Sequence, residues 1–69
     1  MLKNHNHDLV HSLSEKCDAV WRYKNDYLKN SEKCSSCIKM WEKLMEDDEK
    51  HIEILKEEIS RHIKENRFD

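Results

Sequence analysis

Apolar residues recur every three or four positions along two stretches of this chain, and one break separates them. In the first stretch Leu9, Leu13, Val20, Tyr23 and Tyr27 define a stripe that Val10, Cys17, Trp21 and Leu28 widen on one side. That spacing predicts an amphipathic helix over about residues 8–29. The second stretch centres on Trp41 to Leu55. At about 100° per residue, Trp41, Leu44, Asp48, Leu55 and Ile59 share one arc, flanked by Met45, Ile52 and Ile63 on one side and by His51 and His62 on the other. A second helix is expected over about residues 35–66, with Cys34 or Ser35 as its cap. Asn and Ser cluster around positions 30–34, where the period breaks, and there a turn is expected. Residues 1–7 carry Asn4, His5, Asn6 and His7 without an apolar period, so this segment is expected to be frayed. Ser12 and Glu15 have the spacing of a capping box, an alternative start for the first helix.

Two amphipathic helices joined by a short turn form an antiparallel hairpin. Each apolar arc is wider than one neighbouring helix can cover, so the expectation is an all-α hairpin that pairs with a second copy into a four-helix bundle. Nothing marks a second domain or an internal repeat, and 1–69 is taken as one domain.

Composition sharpens this picture. A chain of 69 residues buries too little surface to be comfortably stable alone. The absence of Gly and Pro, with 41% charged residues, favours long helices that associate. A net charge of −2 offers no basic excess for phosphate contacts, so no nucleic-acid partner is expected. No apolar run approaches the ~20 residues of a spanning helix, and the N-terminal stretch lacks the apolar centre of a signal peptide. A cytoplasmic location is therefore expected, where three cysteines act as packing residues or ligands rather than as a disulfide framework.

The chemistry concentrates at a few positions. Asp48 lies near the middle of the apolar arc, where a carboxylate must be paired, hydrogen-bonded, protonated or metal-bound. His51, three residues on, is one candidate partner, and Arg22 or Tyr23 of the neighbouring helix are others. Cys34 and Cys37 have the spacing of a zinc knuckle or a redox pair, alternatives to a plain cap with an inward-packed thiol. Two thiols are half of a zinc site, to be completed by N-terminal histidines or by a second copy. His7 and His11, four apart, could chelate on a helix. Trp21, Tyr23, Tyr27 and Trp41 read as core aromatics. With no Gly in the chain, phosphate-cradling loops are excluded, and independent catalysis is not expected.

Asp48-Glu49-Lys50-His51, with Leu55 four residues further on, resembles the Glu-x-x-His-x-x-x-Leu pattern on metal-binding helices of ferritin-like and rubrerythrin-like proteins, with Asp for Glu. The stretch from Cys17 through Trp21, Arg22, Tyr23 and Tyr27, with Trp41 downstream, is also similar to a group of small uncharacterised helical hairpins. The first resemblance implies a small ferritin-like bundle that binds iron or zinc through Asp48 and His51. Ferritin-like sites also draw a Glu from the preceding helix, whereas Glu15, Asp18 and Asp26 project away from the stripe. Cys17, on the inward side, is the substitute donor. The alternative is a metal-free dimerisation or protein-interaction module with a buried Asp-His pair, meeting a partner through the second helix.

Overall fold

The structure, a computed structural model, describes all 69 residues, and 83% of them are helical, with no strand. The first helix spans Asn4–Arg22, continues through a π-helical turn at Tyr23–Tyr27, and ends with Leu28–Asn30. After a tight turn the second helix runs from Ser35–Lys64 and packs antiparallel along the first. The result is a rod of 49 × 19 × 13 Å. Its radius of gyration is 15.3 Å, against about 11 Å for a compact domain of this length. The hairpin is one layer thick.

Both helices meet along a seam with an alternating three-four step. On the second helix Ile38, Trp41, Met45, Asp48, Ile52, Leu55, Ile59 and His62 are all buried or half-buried. On the first helix the corresponding run is Asn6, Leu9, Leu13, Lys16, Val20, Tyr23 and Tyr27. This is the heptad spacing of a coiled coil, in which a 3.5-residue period winds round each helix by about 20° per heptad. That drift corrects the expected arc. Leu44 and Ile63 lie outside the seam, 38% and 59% exposed, while Met45 and His62 lie within it.

The expected fraying of residues 1–7 gives way to a clasp between the two ends of the chain. The Lys3 amide donates to the Asp69 carbonyl at 2.7 Å, and helix begins at Asn4. Asn6 is the most buried residue of the protein. Its side-chain amide donates to the carbonyls of Arg67 and Asp69 at 2.8 and 3.0 Å. An asparagine here is a structural tie, which a search for apolar periodicity passes over. Ser12 and Glu15 fall inside the helix, so the capping-box spacing is not used.

Without glycine, each helix closes on a non-glycine residue of positive φ, Glu32 at 53° and Asn66 at 56°. At the end of the second helix the Asn66 amide bonds to Ile63 and the Arg67 amide to His62, the paired pattern of a Schellman cap. Asparagine tolerates this left-handed region well; glutamate at position 32 is the costlier occupant.

Candidate functional site

Asp48 is 8% exposed and sits where the second helix faces Lys16 of the first. The Lys16 ammonium donates to Asp48 Oδ1 at 3.1 Å, and His51 Nδ1 lies 3.1 Å from the same oxygen. The expected contact with His51 is present. The partner across the seam is Lys16, rather than Arg22 or Tyr23. Lysine reaches this place because its methylene stem packs along the seam while the ammonium stays near the rim, its side chain 39% exposed. Counting lysine as a surface residue hid it from a reading based on hydropathy.

The second polar layer repeats the principle nearer the chain ends. His62, 6% exposed, points Nδ1 at Asn6 Oδ1 at 2.7 Å and Nε2 at Glu58 Oε2 at 3.1 Å. Because the Asn6 amide nitrogen is already committed to two carbonyls, its oxygen must accept, and Nδ1 of His62 must donate. Both ring nitrogens thus face oxygen atoms, one across the seam and one on the same helix. Each polar intrusion on one helix is thus matched by one on the other, Lys16 by Asp48 and Asn6 by His62. No buried side-chain nitrogen or oxygen is left without a partner.

The residues expected to hold a metal do not converge. No group of three or more His, Cys, Asp or Glu side chains stands in position to hold an ion. Cys17 is exposed on the outside of the first helix. Opposite Asp48, where a ferritin-like centre would place its second carboxylate, stands the ammonium of Lys16, which repels a cation. Iron or zinc therefore does not fit this donor set within one chain. The N-terminal histidines are equally unable to complete the Cys34 and Cys37 pair. His5 stacks edge-on with His62 at 5.4 Å, and His62 lies 25 residues, roughly 37 Å of helix, beyond Cys37. His7 and His11 stack at 5.7 Å, but their nearest acids, Asp8 and Glu15, pair with them on an exposed surface.

At the turn, Cys34 is the N-cap of the second helix, and its sulfur accepts the Cys37 amide at 3.3 Å. Hydrogen bonds from the Cys37 side chain, the Ser36 hydroxyl and the Cys37 amide lower the Cys34 thiol from its ordinary 9.0 to about 7. Cys37 moves the other way, raised by its bond to the Cys34 sulfur and then by burial. Next to this pair, Tyr23, Tyr27 and Trp41 form a triangle with ring centroids 4.9 to 5.8 Å apart. Trp21 does not join them; it is 59% exposed.

Comparison with protein-family models, with curated proteins and with solved structures finds no match.

Proposed function

We propose that this chain is a self-associating helical hairpin, a structural or interaction module whose working form is a homodimer in which two hairpins make a four-helix bundle. One observation carries the reading. Not a single apolar side chain is buried in the lone hairpin, while Trp21, Ile54, Ile63, Met40, Val10 and Leu44 stand 38 to 62% exposed. A hairpin of this length has no other source of core, and a second layer supplies one. The matched polar pairs fit this role, since polar groups in a coiled-coil seam fix register and orientation at some cost in stability.

A ferritin-like metal function would rest on Asp48 and His51 alone, would need a second chain to supply further donors, and would have to displace Lys16. The interaction reading requires none of these. Multi-angle light scattering at micromolar concentration, with and without chelator, tests both. A dimer of twice 8.5 kDa that is unchanged by chelator is expected. A stably folded monomer overturns the interaction reading, and a dimer that dissociates when metal is removed restores the metal one.

A further inference from the structure

We propose that Cys34 and Cys37 form a redox-active dithiol that closes to an intramolecular disulfide by exchange with a low-molecular-weight disulfide such as oxidised glutathione. The proposal is independent of the dimer, since it needs one turn of one chain. Its basis is the division of roles between the two thiols. Cys34 is exposed and held at the first turn of a 30-residue helix, with its sulfur bent back over the Cys37 amide at 3.3 Å and 3.4 Å from the Ser36 hydroxyl. Those donors stabilise sulfur in its anionic form, as does the positive end of the helix. Cys37 is half-buried, beside Trp41 and Tyr27 in a shallow hollow that Asn30 and Ser31 complete. An exposed, activated sulfur three residues before a shielded one is the arrangement of an attacking and a resolving thiol. Residues three apart at a helix start also lie within the span that a disulfide bridges. Cys17 has no such setting: it is exposed and stands alone on the first helix.

The exchange balances in two steps. The Cys34 thiolate attacks one sulfur of glutathione disulfide; a sulfur-sulfur bond forms to Cys34, the original one breaks, and one glutathione leaves as thiolate. Cys37 then loses its proton to solvent and attacks the Cys34 sulfur, closing the ring and expelling the second glutathione. Two protein thiols are oxidised, one glutathione disulfide is reduced, and the two thiol protons reappear on two glutathiones.

The test uses the full reduced chain in glutathione buffers of graded ratio, quenched with acid, alkylated and read by intact mass and peptide mapping. The expected product is lighter by two hydrogens, linked between Cys34 and Cys37, with Cys17 free and a midpoint independent of protein concentration. Cys37→Ser should stop at a glutathione adduct on Cys34. Cys34→Ser keeps a side chain that caps a helix well, so it folds, and glutathione addition at Cys37 near neutral pH should be at least about tenfold slower than at Cys34. The proposal is overturned if Cys17 reacts as fast as Cys34, if the wild-type adduct persists without closing, or if the disulfide joins two chains.

Discussion

Lys16 and Asp48 meet across the seam at 3.1 Å, yet the two side chains are unequally placed, 39% and 11% exposed. The ammonium can swing to water if its partner is lost; the carboxylate cannot. Removing one partner or the other therefore has different consequences. Lys16→Met leaves a buried carboxylate held only by His51 and should cost about 1–3 kcal/mol. Asp48→Leu adds apolar surface to the seam and frees Lys16 to extend, so stability should stay level or rise. The double variant should be at least as stable as the wild type. Urea denaturation of the four proteins of this cycle measures the coupling, and additive effects would show that the two residues do not act as a pair.

Asn6→Ala removes three hydrogen bonds at the one fully buried position and leaves the Arg67 carbonyl and a ring nitrogen of His62 without this partner, while the Asp69 carbonyl keeps the Lys3 amide. A loss of about 2 kcal/mol is expected. Amide exchange should show it locally, with faster exchange at Lys3 and Arg67 and little change near Cys34.

Glu32→Gly should stabilise by about 0.5 kcal/mol, because the left-handed backbone costs a non-glycine residue ~1–2 kcal/mol and glycine returns ~0.5–1 kcal/mol of that in unfolded-state entropy. At Asn66 the same change should be nearly neutral. Thermal melts of both variants provide the comparison, and a destabilised Glu32→Gly would mean that the glutamate side chain holds the turn.

The lowered Cys34 pKa has a definite sign in pH. Since the folded value of about 7 lies below the ordinary 9.0, the capping contribution of the thiolate is fully present above pH 9.0 and is lost as pH falls through about 7. Alkylation by iodoacetamide at Cys34 should accelerate about tenfold per pH unit up to about 7 and level off above it. A rate still climbing steeply between pH 8 and 9 would show that the cap does not activate this sulfur.

Much of the hairpin was legible in the hydropathy pattern because the seam is mostly apolar: Leu9, Leu13, Val20, Tyr23 and Tyr27 on one helix, and Trp41, Ile52, Leu55 and Ile59 on the other, are read directly. What escaped was polar. Asn6, Lys16 and His62 occupy seam positions whose value lies in pairwise hydrogen bonds across the hairpin, and no one-dimensional pattern says which polar residue meets which. Cys17 erred in the opposite sense. Its helical angle adjoins the stripe, but a seam with a 3.5-residue period takes Lys16 and Val20 inward and leaves the cysteine outside.

The π turn at Tyr23–Tyr27 holds one more residue than an α-helical turn of the same height. Helix elsewhere in this chain has no slack: deleting one residue rotates everything beyond it by about 100° and breaks both polar pairs or the heptad that carries them. Within Lys24, Asn25 and Asp26, all exposed, a deletion instead removes the surplus and lets the helix relax to ordinary α geometry. The first helix thus has one site where its length can change by a residue while its upstream contacts, from Asn6 to Val20, keep their register against the second helix.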